Sequence, residues 1–344
     1  MFIVNQWQAP HHILHNAQQV PEVLTQAKQS FGRNAQFEHH IWDVDSCYPS
    51  MPRQDILKAM GEILEQTVAQ DRRTKRKFVL VPRNKHEKPT WGTSYTDEMR
   101  ATHMKLTFAD MMAVLRFSID NAICKLGSKI IRQIKGIPQG DSLSPAVCIG
   151  TLAWHESKWQ TTLTKTQRAN VKIARYLDDV IFIINSRMKG CDKTVQAYKR
   201  KCYPKELSLE GGEGENNFLE TAIVNTGKDI KCRHRNKNAG MTRQEFYWGK
   251  HAWSHNDERH KMGAMIGTFT RIQRNSSTDE LAMLSITEKI QELQTLQYTH
   301  AQCAKAIRYL ANKHNTQPLW SKCFHNITGI TLDGPANDAY HLNP

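Results

Sequence analysis

The segment Tyr176-Leu177-Asp178-Asp179 places two adjacent carboxylates between two apolar runs. The runs are Val171-Lys172-Ile173-Ala174 before it and Val180-Ile181-Phe182-Ile183-Ile184 after it. Because β-branched and aromatic residues favour strands, the segment predicts a buried β-hairpin with an acidic turn. Buried charges need partners, and paired carboxylates suit Mg²⁺, which completes its coordination shell with phosphate oxygens. A surface turn, in which aspartate is common, is the alternative.

Two other segments favour the metal-binding interpretation. The first is Ile41-Trp42-Asp43-Val44-Asp45-Ser46-Cys47-Tyr48. It predicts a strand that ends in acidic residues, with an aromatic ring five positions after Asp43. Between this strand and the hairpin lies Gly136-Ile137-Pro138-Gln139-Gly140-Asp141-Ser142-Leu143-Ser144-Pro145. Its glycines allow the backbone to approach a ligand closely. Ser144 and Pro145 suit the N-cap and first position of a following helix.

In this order, the acidic strand, the Gly-Ile-Pro-Gln-Gly loop and the Tyr-x-Asp-Asp hairpin resemble motifs A, B and C of reverse transcriptases. The resemblance covers roughly residues 37–313. The motif B loop, Gly-Ile-Pro-Gln-Gly-x-Ser-Leu-Ser-Pro, is similar to the corresponding loop of non-retroviral and telomerase-like enzymes. Residues 217–223 resemble the Phe-Leu-Asp segment of Penelope-like elements. The branch that these segments favour is therefore a Penelope-like, retroelement reverse transcriptase related to telomerase.

The resemblance implies an α+β fold of the right-hand polymerase type, with an antiparallel-sheet palm flanked by helices, reduced fingers and a helical thumb. The expected domains are an N-terminal segment with abbreviated fingers (1–36), a palm with inserted fingers-like elements (37–225), a mainly helical thumb (226–325) and a tail (326–344). Only about forty residues precede Asp43, where the family normally has its fingers. Arg83 or Lys85 would then contact the triphosphate, or a partner subunit or missing N-terminal region would supply the fingers.

Apolar periodicity predicts the elements around these motifs. The predicted helices are 21–29, 54–70, 107–126, 261–274, 277–294 and 302–313, and the predicted strands include 78–81 and 230–235. Ser277 and Glu280 are expected to form a capping box. Segments 207–209 and 218–223 flank an acidic glycine turn at 210–215 and resemble motifs D and E, the second being the primer grip.

By the resemblance, Asp43 and Asp178 are the primary metal ligands, and Asp179 supports them. Two Mg²⁺ ions, for which Mn²⁺ can substitute, would stabilise the attacking and leaving oxygens of nucleotidyl transfer. Asp45 is the rival of Asp43. Only Asp43 is followed by an aromatic residue, Tyr48, at the family's spacing.

Four further residues have expected roles at the nucleotide. Tyr48 would lie beneath the sugar, where its ring excludes a 2′-hydroxyl, although a core aromatic is the alternative. Gln139 would contact the nucleotide, and Gly140 would let the backbone approach the template base pair. Lys205 is a candidate general acid for pyrophosphate, with Lys199 and Lys201 as alternatives. Asp141 has no expected role.

Composition agrees with a nucleic-acid partner. The formal net charge of +14 suits a polyanion, since each phosphate contact by Lys or Arg releases counterions. The basic run 71–77 suits binding to a nucleic-acid backbone or nuclear import, with a solvated helix end as the alternative.

Eight cysteines without a Cys-x-x-Cys pair, and no secretory segment, predict a reducing intracellular compartment, nuclear or cytoplasmic. No apolar run is long enough for a membrane span.

One set of residue types suggests zinc but has the wrong spacing. Cys303, His314, Cys323 and His325 fit no finger pattern, so structural cysteines and surface histidines are favoured.

The sequence therefore predicts an RNA-directed DNA polymerase, a nucleotidyltransferase that extends a DNA primer with dNTPs on an RNA template. An RNA-dependent RNA polymerase is the first alternative, which Tyr48 disfavours because such enzymes need room for the 2′-hydroxyl. A nucleic-acid-binding palm-fold protein without polymerisation is the second. The presence of all three proposed ligands disfavours it.

Overall fold

The computed structural model of the protein describes residues 1–69, 77–212, 214–238, 241, 251–314 and 318–328. Most of the basic run 71–77 and most of the tail 326–344 therefore lie outside the described residues. The helices are α1 Phe2–Gln6, α2 Val20–Phe31, α3 Cys47–Ser50, α4 Arg53–Ala69, α5 Asp97–Thr102, α6 Phe108–Asp120, α7 Ser144–Thr162, α8 Lys165–Asn170, α9 Cys191–Lys201, α10 Glu258–Arg274, α11 Asp279–Thr295, α12 His300–Lys313 and α13 Pro318–Thr328. The strands are β1 Phe37–Val44, β2 Phe78–Pro82, β3 Thr90–Gly92, β4 His103–Thr107, β5 Ile123–Leu126, β6 Lys129–Arg132, β7 Val171–Tyr176, β8 Asp179–Asn185, β9 Leu209–Gly212, β10 Asn217–Phe218, β11 Thr221–Asn225 and β12 Ile230–His234.

The chain divides into two compact units. The first unit contains Met1–Leu14, Trp42–Phe182 and Arg187–Glu213. The second unit contains His15–Ile41, Ile183–Ser186 and Gly214–Pro344. No helix among the described residues has the length and apolar composition that crossing a bilayer requires.

The sheet that carries the acidic hairpin has the strand order β7-β8-β1-β9. Val180, Ile181 and Phe182 of β8 are completely buried, as their continuous apolar run predicts. Smaller antiparallel sheets have the order β3-β2-β4 and the pair β5-β6. The hairpin predicted around Asp178 is thus confirmed, with strands β7 and β8 on either side of a turn at residues 177 and 178.

An aromatic cluster packs in the first unit behind this sheet. Trp42 of β1 and Phe182 of β8 have ring centroids 5.6 Å apart. The ring of Tyr198 in α9 lies 5.1 Å from Phe182 and 4.8 Å from Trp159 in α7. Large buried rings remove much apolar surface from water, so the cluster ties β1 and β8 to two helices.

α4 packs on α7 through residues at helical spacing. Ile56, Ala59 and Ile63 of α4 are completely buried, and Ala59 and Ile63 contact Ala153 and Trp154 of α7 in one cluster. This spacing confirms the predicted amphipathic helix.

The second unit combines a small sheet with a helical core. β10, β11 and β12 form an antiparallel sheet. Helices α10 to α13 share a hydrophobic core in which Phe269 and Trp320 have no exposed surface. The predicted helices at 261–274 and 302–313 are confirmed within this core.

The predicted helix 107–126 is wrong at its end. α6 stops at Asp120, where the side chain of Asn121 donates to the carbonyl of Phe117 at 2.8 Å. Residues 123–126 instead pair with β6 across a turn at Gly127, whose φ of 61° suits glycine. A short stretch such as Ile123-Cys124-Lys125-Leu126 fits either a helix or a strand, and the turn decided between them.

Two predicted caps are also wrong. The N-cap of α11 is Thr278, whereas the hydroxyl of Ser277 accepts a hydrogen bond from the amide of Cys232 at 2.9 Å. Ser144 is the first residue of α7, and its hydroxyl donates to the carbonyl of Pro138 at 2.5 Å. A long-range partner outcompeted the cap at Ser277, and a carbonyl of the preceding loop outcompeted the cap at Ser144.

The strands on either side of the 210–215 turn do not pair with each other. β9 lies beside β1, whereas β10 pairs with β11 in another sheet. The two segments that flank the predicted turn therefore belong to different sheets.

Candidate metal and nucleotide site

β1 and the turn between β7 and β8 bring two carboxylates to one place. The amide of Val44 donates a hydrogen bond to the carbonyl of Asp178 at 3.0 Å. Asp43 precedes Val44 in β1. Because this bond joins the two backbones at adjacent positions, Asp43 and Asp178 lie close together.

The pKa of the Asp43 carboxyl reflects the acids around it. Its pKa is raised, first by partial burial and then by the charges of Asp178, Asp45 and Glu210. Like charges near a carboxylate favour its protonated form. A cation bound among these acids would relieve their repulsion, and Mg²⁺ is commonly held by one or two carboxylates together with substrate phosphates. These acids offer the oxygen ligands that Mg²⁺ prefers, and the metal itself stays a prediction.

Asp179 is the half-buried first residue of β8. Across the ranges that the structure describes, no group of three or more His, Cys, Asp or Glu side chains forms a metal-binding cluster. The structure thus brings Asp43 and Asp178 together, and the supporting role of Asp179 stays a prediction.

Asp45 and Glu210 lie near Asp43 for different reasons. The amide of Asp45 donates to the carbonyl of Ser208 at 2.9 Å, which joins the end of β1 to the start of β9. Glu210 lies in β9. The sequence pattern predicts a turn there and gives Glu210 no role at the site. The available signal was the alternation of the apolar residues Leu207 and Leu209 with the polar residues Ser208 and Glu210, which is typical of a strand.

Tyr48 is half-buried in α3. Burial, followed by the proximity of Cys148, Cys47 and Asp178, raises the pKa of Tyr48 to about 12, so the hydroxyl is protonated at neutral pH. The sulfur atoms of Cys47 and Cys148 lie 3.4 Å apart, which packs α3 against α7. Tyr48 therefore shares its surroundings with the acidic turn.

The Gly-Ile-Pro-Gln-Gly loop is held directly against the Tyr48 segment. The amide of Ile137 donates to the carbonyl of Tyr48 at 2.9 Å. Gly136 has a φ of 65°, and a Cβ there would lie 2.3 Å from the carbonyl oxygen of Tyr48 and 2.4 Å from that of Pro49. Arg53 donates to the carbonyl of Gly136 at 3.2 Å. Only glycine fits this contact.

Gln139 and Gly140 are exposed on the same loop. Gln139 lines an open cavity of about 450 Å³ together with Pro49 and the basic residues Arg132 and Lys135. Gly140 has a φ of 94°, and the space where a Cβ would lie is open. The loop thus offers a side chain and accessible backbone beside a cationic cavity.

Asp141 has a structural role that the sequence did not reveal. Its carboxylate accepts hydrogen bonds from the hydroxyl of Ser118 in α6 and, at 3.1 Å, from the amide of Leu143. These bonds, with Ser118 first, lower the pKa of Asp141. The residue therefore fastens the loop to α6.

Several predicted residues are not joined to the acidic pair by the contacts of the described chain. Lys205 is exposed in the loop after α9, and its alternatives Lys199 and Lys201 are exposed at the end of that helix. Arg83 and Lys85 are exposed in the loop after β2. Their proposed roles stay predictions.

Two of the residues considered for zinc are core cysteines. Burial raises the thiol pKa of Cys303 to about 11 and, together with Asp279, that of Cys323 to about 12. Both lie in the hydrophobic core of the second unit.

No protein-family model and no curated protein matches this chain. Solved structures do match it. Telomerase from Candida albicans, in complex with the TWJ fragment of telomeric RNA, is 13% identical with a TM-score of 0.57, over 94% of this chain and 53% of that chain. Apo telomerase from Candida tropicalis is 12% identical with a TM-score of 0.49, over 97% of this chain and 55% of that chain.

The chain thus spans about half the length of these telomerase chains. At 13% identity, the likeness to the Candida albicans protein concerns the fold alone. The chain has a mixed α+β fold with antiparallel sheets that is similar to the fold of telomerase.

Proposed function

We propose that the chain is an RNA-directed DNA polymerase that extends a DNA primer with dNTPs on an RNA template. The observation that carries this proposal is the meeting of Asp43 and Asp178 in a telomerase-like fold. The net charge of +14 suits the nucleic-acid partners that such a reaction requires.

The right-hand layout is part of this proposal. The sheet with Asp43 and Asp178 would be the palm, and helices α10 to α13 would be the thumb. Fingers elements would come from the segments between β2 and β6, and from a partner subunit or an N-terminal region if these do not suffice. The sequence motifs further suggest a Penelope-like retroelement enzyme that works inside the cell.

The proposed roles come from the resemblance to reverse transcriptases, and the proximity of Asp43 and Asp178 supports them. Asp43 and Asp178 would hold Mg²⁺ with the support of Asp179. When bound, two such ions supply stabilisation of the attacking and leaving oxygens. Tyr48 would lie beneath the sugar, and its protonated hydroxyl adds no negative charge to the acidic group.

The loop contacts support a nucleotide-binding role. Gly136 and Ile137 hold the loop against the Tyr48 segment. Gln139 and Tyr48 would therefore contact the same ligand from fixed relative positions. Such residues work best when neighbouring contacts fix them.

Primer extension on an RNA template tests the proposal. The purified chain should incorporate dNTPs with Mg²⁺ or Mn²⁺, and Asp178→Ala should abolish incorporation. Asp192→Ala is the matched control, because Asp192 is an exposed acid in the first turn of α9 and should leave extension unchanged.

The alternatives give different outcomes in the same assay. Extension with NTPs in preference to dNTPs would indicate an RNA-dependent RNA polymerase. Tight binding of an RNA/DNA hybrid without extension, even with Mn²⁺, would indicate a binding protein. Extension that survives Asp178→Ala would contradict the site assignment.

A further inference from the structure

Arg175, the residue directly before the acidic segment, is completely buried and paired with a completely buried acid. Its Nε donates to Oε1 of Glu156 in α7, and its Nη2 lies 3.4 Å from Oε2. A buried ion pair is seldom more stabilising than apolar packing of the same volume, because both charges lose their hydration. Stability alone therefore does not explain the presence of this pair.

The guanidinium of Arg175 also contacts the acidic turn. Its Nη1 donates to the carbonyl of Leu177 at 2.6 Å. Leu177 has a φ of 54°, in the left-handed region that residues with side chains rarely adopt. The hydrogen bond from Arg175 thus holds an unfavourable backbone conformation in place.

Both peptide planes that flank Asp178 are fixed in this way. Arg175 holds the carbonyl of Leu177 on one side, and the amide of Val44 holds the carbonyl of Asp178 on the other. With both planes fixed, the direction of the Cα–Cβ bond of Asp178 is set as well. The orientation of the carboxylate toward Asp43 therefore depends on Arg175.

Arg175 is itself held from two sides. Its amide donates to the carbonyl of His12, and its carbonyl accepts from the amide of Leu14, each at 2.6 Å. Glu156 accepts hydrogen bonds from the hydroxyl of Tyr203 at 2.8 Å and from the amide of His12 at 3.1 Å. The N-terminal segment and α7 thus fix the arginine that fixes the turn.

The groups around the pair are uncharged at neutral pH. Burial lowers the pKa of His12 to about 4 and raises that of Tyr203. Burial alone would raise the pKa of Glu156, but Arg175 and His12 hold it below its usual range. One cation and one anion remain, so the network adds no net charge behind Asp178.

We infer that Arg175 is a positioning residue for the metal-binding turn, acting on Asp178 through the carbonyl of Leu177. The inference rests on the proposed function, because it assigns Asp178 to metal binding. It goes beyond that function by giving the pair Arg175–Glu156 a task in it.

Mn²⁺ binding measured by electron paramagnetic resonance tests this role. Arg175→Lys keeps the charge but loses the planar fork of donors, and we expect Mn²⁺ binding to weaken by about tenfold or more. Glu156→Gln removes the pair's negative charge without removing the donor to Leu177. It should lower the unfolding midpoint with a smaller loss of Mn²⁺ affinity. Arg233→Lys, which alters a partly exposed pair with Glu288 in the second unit, should change neither.

Leu177→Gly keeps the test decisive if Arg175→Lys does not fold. Glycine adopts a positive φ freely, and the backbone carbonyl remains for Arg175 to hold. Mn²⁺ affinity close to that of the wild type is therefore expected. Loss of Mn²⁺ binding in this variant would show that the Leu177 side chain sets the turn, and would overturn the inference.

Hydrogen exchange of the metal-free protein separates this inference from the proposed function. Exchange of the Val44 amide, which donates to Asp178, should be faster in Arg175→Lys and unchanged in Arg233→Lys. Unchanged exchange in folded Arg175→Lys would overturn the inference. A wild-type chain that binds no Mn²⁺ would contradict the proposed function, while the exchange comparison would still decide the role of Arg175.

Discussion

Around Asp43 and Asp178, a backbone hydrogen bond joins the two segments, whereas the two carboxylates repel each other. The hydrogen bond between Val44 and Asp178 brings the two positions together, while the charges of Asp178, Asp45 and Glu210 raise the pKa of Asp43. Perturbed acids of this kind are common at functional sites. Each acid can be tested through its effect on its neighbours.

The pH dependence of stability reports this repulsion. The pKa of Asp43 is higher in the folded state, so the stability it contributes is fully present below its ordinary pKa and is lost as pH rises through the raised value. We expect metal-free Asp178→Asn to lose less stability than the wild type between about pH 4 and about pH 7. Urea midpoints across this range measure the difference. An identical pH dependence in the two proteins would contradict the interpretation.

Tyr48 provides a second test at the scale of one residue. Under the proposed function its ring excludes the 2′-hydroxyl, so Tyr48→Ala should raise NTP use relative to dNTP use by about tenfold or more. Tyr48→Phe keeps the ring and should keep the preference for dNTPs. Ratios of kcat/KM for paired nucleotides measure both. Equal ratios in the two variants would show that the ring does not act on the sugar.

At the scale of elements, the loop between β6 and α7 depends on close packing rather than on its own turn propensity. Gly136 lies against the backbone of Tyr48 and Pro49, Arg53 holds its carbonyl, and Asp141 binds Ser118. These contacts come from α3, α4 and α6, and together they hold the loop against the Tyr48 segment and α6. The loop is therefore positioned by its neighbours.

The two glycines of this loop make a matched comparison. A left-handed backbone disfavours alanine at both positions by about 1–2 kcal/mol. Only at Gly136 would the Cβ also meet backbone oxygens, whereas the space at Gly140 is open. Gly136→Ala should therefore lower the free energy of unfolding more than Gly140→Ala. Urea titration of the two variants measures this, and equal losses would contradict the contact.

Elements with strong local periodicity could be predicted, and elements with an ambiguous pattern could not. α4 and the β7–β8 hairpin follow directly from the spacing of their apolar residues. Residues 123–126 are too few to show a clear period, and their strand forms because β6 returns beside them across Gly127. The cap at Ser277 failed because its hydroxyl bonds Cys232, which is distant in the sequence, and the cap at Ser144 failed because its hydroxyl bonds Pro138 in the preceding loop.

At the scale of the whole molecule, the net charge of +14 favours a polyanionic partner. The fold is similar to that of Candida albicans telomerase. The charge agrees with a chain that binds a nucleic-acid backbone, and the strength of that binding can be measured without assuming a reaction.

Binding of an RNA/DNA hybrid should weaken steeply with salt. If six or more phosphates are contacted, affinity should fall by about 10³-fold between about 50 and about 200 mM salt, since each contact releases counterions. Fluorescence anisotropy with a labelled hybrid measures the slope. An affinity that does not change with salt would exclude a binding mode dominated by phosphate contacts.

The linear order of residues determined the acidic strand, the glycine loop and the acidic hairpin, because each is a local pattern of neighbouring side chains. Only the tertiary structure decided which acids meet. Glu210 reaches Asp43 through the position of β9 beside β1, and Arg175 reaches Glu156 through the packing of α7. Such contacts join residues far apart in the chain, whose proximity depends on how strands and helices pack rather than on any short segment.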